Sequence, residues 1–145
     1  MSLSNAFIPA STSLTSTGGS ITFTASGNTI DVESNFVGLS WTDVTGTSQA
    51  AAANNGYTAN NAGTVTFTLP ATAAYGTVIK ILGKGAGGWT ITYGTGQAIV
   101  FGAVTTTTTS GSLSSSLAHD VVSLVCIVAN TTFQVDYALG NLTYV

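Results

Sequence analysis

One cysteine, one histidine, one methionine and two prolines are the whole of four residue classes in this 145-residue chain, and arginine is absent. Charge is equally scarce. Lys80, Lys84 and five acidic residues make the charged fraction 5%, against roughly 25% in ordinary soluble domains. Each scarcity excludes something. With a net charge of −3 and no basic stripe, binding to nucleic acid or to an anionic membrane lacks its main electrostatic term. Cys126 alone permits neither an internal disulfide nor a multi-cysteine metal site. It stands in the apolar run Val121-Val122-Ser123-Leu124-Val125-Cys126-Ile127-Val128 and reads as a small buried hydrophobe. No run approaches the roughly 18–20 apolar residues of a membrane span. Residues 1–10 have neither a basic n-region nor an apolar h-region, so no Sec-type signal peptide is expected and synthesis is expected in the cytoplasm. No motif calls for a cofactor.

What is abundant is small and polar: 26 Thr, 16 Ser and 17 Gly, beside a hydrophobic fraction of 44%. That mixture favours strands and turns. Alternation with period 2 recurs along the chain. Residues 20–25 and 29–33 read as a hairpin turned at Ser26-Gly27-Asn28. Thr64-Val65-Thr66-Phe67-Thr68-Leu69 places three threonines on one face and three apolar side chains on the other, and Pro70 stops it. Strands over 77–82, 88–93 and 97–101 follow at spacings of about 8–12 residues, the rhythm of an antiparallel sandwich or barrel. Residues 120–128 are apolar on both faces and should form a covered central strand. Asn130-Thr131 then turns into 132–138, and Gly140-Asn141 into 142–145. No 11-residue window carries a capped helical pattern; the nearest, 48–53, runs into the turn signal Asn54-Asn55-Gly56.

The expected fold is all-β: a single antiparallel, jelly-roll-like β-sandwich. Residues 1–19 form an extended polar arm, and 20–145 form the domain, with a leading hairpin over 20–40 and a core over 41–145. Residues 105–116, five threonines and a serine-rich tail, read as a long exposed loop. A surface of hydroxyls, amides and backbone with so little charge is suited to association, so a homo-oligomer is expected.

Few groups are candidates for chemistry. His119 is followed by Asp120, but no Gly-x-Ser-x-Gly elbow surrounds the serines at 110–116 that would have to supply a nucleophile. The pair is expected to open the buried strand at its solvated end. Asp31 and Glu33 project side by side on one strand face, which reads as solvated, with a carboxylate pair or Ca²⁺ site as the sharper alternative. Asp43 and Asp136 are isolated in sequence. Gly83-Lys84-Gly85-Ala86-Gly87-Gly88 resembles a phosphate loop but lacks the Gly-Lys-Ser/Thr ending and leads into a strand, so it reads as a hairpin turn needing positive φ. Asn130-Thr131-Thr132 and Asn141-Leu142-Thr143 fit the N-glycosylation sequon, with no modification expected in the absence of a signal peptide. Trp41, Tyr57, Trp89 and Tyr93, with Thr107 and Thr108 of the threonine loop, are the candidate receptor or glycan contacts, with Tyr75 a further exposed-aromatic candidate; Trp89, Ile91 and Tyr93 alternatively share a core face. No catalytic, metal or cofactor residue is expected.

The segments Trp41-Thr42-Asp43-Val44-Thr45-Gly46-Thr47, Asn54-Asn55-Gly56-Tyr57, Ala59-Asn60-Asn61, Thr68-Leu69-Pro70-Ala71, Gly83-Lys84-Gly85-Ala86-Gly87-Gly88-Trp89 and Val128-Ala129-Asn130 resemble the C-terminal β-domain of phage tail-fibre and related virion-surface proteins. The resemblance covers about residues 41–145. It implies a trimeric, sandwich-like, non-enzymatic module on a virus particle, either a tail-fibre or tail-tip domain or a capsid decoration protein, serving assembly or host attachment. It carries no catalytic set. The expected partners are copies of the chain, other virion proteins reached through the arm, and a glycan or protein on the host surface. A carbohydrate-binding module, or a surface filament whose subunits exchange the arm as an extra strand, is the alternative.

Overall fold

The computed structural model describes the backbone of residues 21–26, 29–34 and 38–145, and side chains from residue 38 onward. The chain divides into two compact units, Met1–Gly38 and Leu39–Val145. In the first, β1 (Ile21–Ser26) and β2 (Thr29–Ser34) pair antiparallel, with Phe23 opposite Val32 and Ala25 opposite Ile30. This is the hairpin expected from alternation. The arm at 1–19 and the carboxylates of Asp31 and Glu33 lie outside the described residues.

The second unit is all-β, with no helix among the described residues. Its strands are β3 (Ser40–Val44), β4 (Ser48–Ala50), β5 (Asn55–Ala59), β6 (Val65–Thr68), β7 (Val78–Gly83) and β8 (Trp89–Thr92). They continue with β9 (Ala98–Phe101), β10 (Val104–Thr105), β11 (Ser112–Ser115), β12 (Val121–Val128), β13 (Thr132–Leu139) and β14 (Leu142–Tyr144). One sheet has seven strands in the order β10-β9-β13-β12-β7-β5-β3; the other has five, β14-β11-β8-β6-β4.

Both sheets are mixed, which corrects the antiparallel, jelly-roll-like pairing expected from turn spacing. From β3 to β8 successive strands alternate between the sheets, so each strand meets its sheet neighbour only after the chain has crossed to the other sheet and back. Two crossings restore the original direction. β3 therefore pairs parallel to β5, β5 to β7, β4 to β6 and β6 to β8. Parallel neighbours always need a crossover, and here a strand of the opposite sheet supplies it. β9 also pairs parallel to β13. Hairpins remain at β9–β10 and at β12–β13, where Asn130 has φ 66°.

The run of glycines at 83–88 is a crossover from β7 to β8, not a hairpin turn. Only Gly88 has positive φ there. The glycines are needed for close approach: a Cβ at Gly87 would lie 2.0 Å from the carbonyl carbon of Gly63, and one at Gly85 2.2 Å from the carbonyl oxygen of Asn61. The threonine-rich region is likewise only partly a loop. Val104–Thr105 and Ser112–Ser115 are strands, Thr106 is buried, and Leu113 is in the core.

A single hydrophobic cluster takes Tyr57, Ile79, Ile81, Val122, Leu124, Cys126 and Phe133 from the seven-stranded sheet and Val65, Phe67, Trp89, Ile91 and Leu113 from the five-stranded one. Tyr57 and Phe67 meet across the two sheets with ring centroids 5.4 Å apart. Each fully buried Ile, Leu or Phe contributes about 1.5–3 kcal/mol. The alternation Val65, Phe67, Leu69 is buried as its pattern requires, and β12 is central, between β13 and β7.

Candidate functional site

Period 2 fixes what the other face of the seven-stranded sheet presents. Val44, Tyr57, Ala59, Ile79, Ile81, Val122 and Leu124 point into the core. Their strand neighbours therefore point outward. Register aligns these into two rows. Trp41, Gly56, Lys80, Ser123 and Tyr137 lie side by side across β3, β5, β7, β12 and β13, and Asp43, Thr58, Leu82, Val121 and Leu139 form the next row. A register shift between Ser123 and Leu124 brings Tyr137 and Leu139 onto this face.

Trp41 stands at the β3 edge of the first row and is 50% exposed. A Cβ at Gly56 would lie 2.6, 2.6 and 2.7 Å from its Cδ2, Cε2 and Cε3 atoms. A point so nearly equidistant from three atoms of the six-membered ring sits on that ring's axis. The indole therefore lies face-down on Gly56, in the manner by which aromatics cover strand glycines, and its other face points away from the sheet. On the far side of Gly56, the Lys80 ammonium lies 5.8 Å from the centre of the Tyr137 ring, a cation–π contact that spans Ser123 and accounts for that serine's burial.

Beside Trp41 is a polar cluster. The Thr58 hydroxyl donates to Asp43 Oδ1 at 2.6 Å, while the Asn60 amide and the Lys84 ammonium each donate to Oδ2 at 3.0 Å. The Thr58 hydroxyl first, then Lys84 and Asn60, hold the Asp43 carboxyl below its ordinary value. An exposed ion pair of this kind adds little to stability by itself. Its effect is to fix the direction of the carboxylate.

Two of the other aromatic candidates are withdrawn from the surface. Trp89 and Tyr57 are buried, and their polar atoms bind backbone: the Trp89 indole donates to the Asp120 carbonyl at 2.9 Å, and the Tyr57 oxygen accepts from the Ala52 amide at 2.7 Å. Neither offers a face to a ligand. Tyr93 is half-buried, and its hydroxyl donates to the Thr107 carbonyl and accepts from the Thr106 hydroxyl; Thr107 and Thr108 are exposed. Tyr75 is exposed on a loop remote in sequence from Trp41. Trp41 is thus exposed, with Thr58, Asn60 and Lys84 beside it, which the sequence did not single out, and Asp43 has neighbours where the sequence showed it isolated. The available signal was Trp41 itself, set in the polar run Ser40-Trp41-Thr42-Asp43.

His119 and Asp120 part company. His119 is exposed with φ 71°, and its Nδ1 is 3.3 Å from the Gly83 carbonyl. Asp120 is buried, not solvated, because its Oδ2 accepts the amides of Ser116 and Leu117, both at 3.0 Å. The hydroxyls of Ser115 and Ser116 donate to the carbonyls of Trp89 and Asn141. Among the described residues no three His, Cys, Asp or Glu side chains come together.

The five-stranded sheet has a different outer face. Ser48, Thr66, Thr90, Ser114 and Thr143 align in one register row across all five strands, and Thr90 Oγ1 lies 2.9 Å from Ser114 Oγ. Every member of this row carries a hydroxyl and none a charge. A recess of about 300 Å³, lined by Leu69, Gly94, Gln97 and Asn130 among others, opens at one end, but the Gln97 amide is satisfied by Pro70 and Asn130 carbonyls and the Gly94 amide.

No protein-family model matches the chain, and no curated protein sequence does.

Proposed function

We propose that the chain is a structural, non-enzymatic β-domain of a virion surface, from a tail fibre, a tail tip or a capsid decoration, that assembles with copies of itself and serves attachment. In this reading the two sheets pack as a sandwich and the assembly is a homotrimer. The observation that carries it is the outer face of β13. Tyr137 and Leu139 are 50% and 58% exposed there, beside Val121 and Leu82, on a chain with seven charged side chains. Exposed aromatic and aliphatic residues side by side are the composition of interface centres, and the Lys80 ammonium borders them over the Tyr137 ring.

Support also comes from the resemblance of the segments at 41–47, 54–57 and 83–89 to virion-surface β-domains. Assembly through β13 leaves the β3 edge, about 19 Å away across four strand spacings, free for a receptor. Other virion proteins would be met through the N-terminal residues. The test is electron microscopy of phage-like particles labelled with antibody to this chain. Label at the tail or capsid surface is expected; particles that never carry label, in a preparation where the chain is detected free, overturn the reading.

A further inference from the structure

We propose that the Trp41 patch is a carbohydrate subsite, in which one pyranose ring of a surface glycan stacks on the outward indole face and its hydroxyls bond to Asp43, Asn60 and Lys84. This names the receptor class for the attachment role above and rests on that reading.

The first argument is the ring's attitude. Laid over Gly56, the indole covers the strand with one face and turns the other to water. Here Gly56 removes the one Cβ that would lift the ring, so the benzo ring lies flat and half of the residue is exposed. A flat aromatic face presented to water, with polar groups at its border, suits the apolar C–H face of a sugar ring.

The second argument is the polar border. Asp43 is two residues from Trp41 on the same strand face, hence about 6.6 Å along the strand. Its carboxylate is ionised and held by three donors, out of about four bonds that it can accept. One acceptor position stays open in a fixed direction. Lys84 uses one ammonium hydrogen on Asp43 and Asn60 one amide hydrogen, so each keeps donor or acceptor capacity. A few oriented polar groups around an apolar face are what small-ligand sites provide.

The third argument separates a glycan from a second copy of the chain. Interface centres are depleted of Lys and Asp, and the stretch Leu82, Val121 and Leu139 of this face fits that description. The β3 side does not. Asp43 and Lys84 stand beside Trp41 as an ion pair, on a chain with seven charged side chains in total. Burying them beneath another subunit would desolvate an ion pair for little return, whereas a sugar hydroxyl leaves them partly hydrated.

The chain reports on itself, because it has two tryptophans and the other, Trp89, is buried with its indole N–H on the Asp120 carbonyl. Tetrasaccharides of glucose, galactose and mannose are titrated into the isotope-labelled 145-residue protein, up to millimolar concentration, while both indole N–H signals are followed. At least one tetrasaccharide is expected to move the Trp41 signal and leave Trp89 in place. Trp41→Ala and Asp43→Ala are each expected to weaken that binding at least about tenfold, with the Trp89 signal unchanged as evidence of an intact core. Gly56→Ala should do the same by lifting the ring. The subsite is overturned if none of the three sugars moves the Trp41 signal, if Trp41→Ala binds as well as wild type, or if the signal moves with protein concentration alone. A trimer that binds no tetrasaccharide removes only the subsite; a monomer that binds one removes only the assembly reading.

Discussion

The indole N–H of Trp89, in the five-stranded sheet, donates to the backbone carbonyl of Asp120, the residue that leads into β12 of the seven-stranded sheet, at 2.9 Å. The same carbonyl accepts the Gly83 amide at 2.9 Å, and the Asp120 side chain holds the turn at 116–117. One residue thus ties β7, β8, β12 and the preceding loop. Its carboxylate is a structural acceptor.

Asp120→Ala should therefore destabilise the fold by about 1–3 kcal/mol, because two amides lose their acceptor in a buried setting. Trp89→Ala, which empties a wholly buried site, should cost about 3–5 kcal/mol. Urea unfolding followed by circular dichroism measures both. An Asp120→Ala protein as stable as wild type would contradict the assignment.

Asp43 should titrate below the ordinary aspartate value of 3.8. Because its folded pKa is depressed, the stability it contributes is present above the unfolded value and is lost as pH falls through the folded one. Thr58→Val should raise the midpoint by removing the leading hydrogen bond, and Lys84→Ala should raise it too. Titration of the Asp43 carboxyl carbon by NMR reads this directly; a wild-type midpoint at or above 3.8 would contradict the cluster geometry.

Gly87→Ala should destabilise by upward of about 2 kcal/mol, since the added carbon meets Gly63 backbone, which cannot swing aside. At Gly46 nothing lies within 4 Å of the equivalent carbon, and Gly46→Ala should be within about 0.5 kcal/mol of wild type. Thermal melts of the two variants side by side test the crossover loop. Equal melting temperatures would mean that the two loops do not touch as described.

The strands with clear alternation were legible in the sequence because alternation is local, whereas β3, β4, β5, β10 and β11 were not, and Asn55-Gly56, which read as a turn, opens β5. The Thr64 to Leu69 pattern and the apolar run at 121–128 need no knowledge of distant residues to be assigned. Pairing was not legible, because Gly83-Lys84-Gly85-Ala86-Gly87-Gly88 reads alike whether the next strand returns beside β7 or crosses to the other sheet. The same limit applied to the site. Trp41, Tyr57 and Trp89 are equivalent as residue types, and only burial separates them. Asp43 meets Thr58, Asn60 and Lys84 at separations of 15, 17 and 41 residues, contacts that exist only once β3, β5 and β7 are aligned in parallel register.

A charge placed on the β13 face should disrupt assembly while sparing the fold. Leu139→Glu and Tyr137→Glu are exposed positions, so each variant should keep the strand circular dichroism of wild type while its solution mass falls.

The solution mass of the wild-type chain tests the assembly most directly. Light scattering on the eluting peak should give three times the 14.5 kDa chain mass, and Leu139→Glu should return it to a single chain. A monodisperse wild-type monomer would contradict the account.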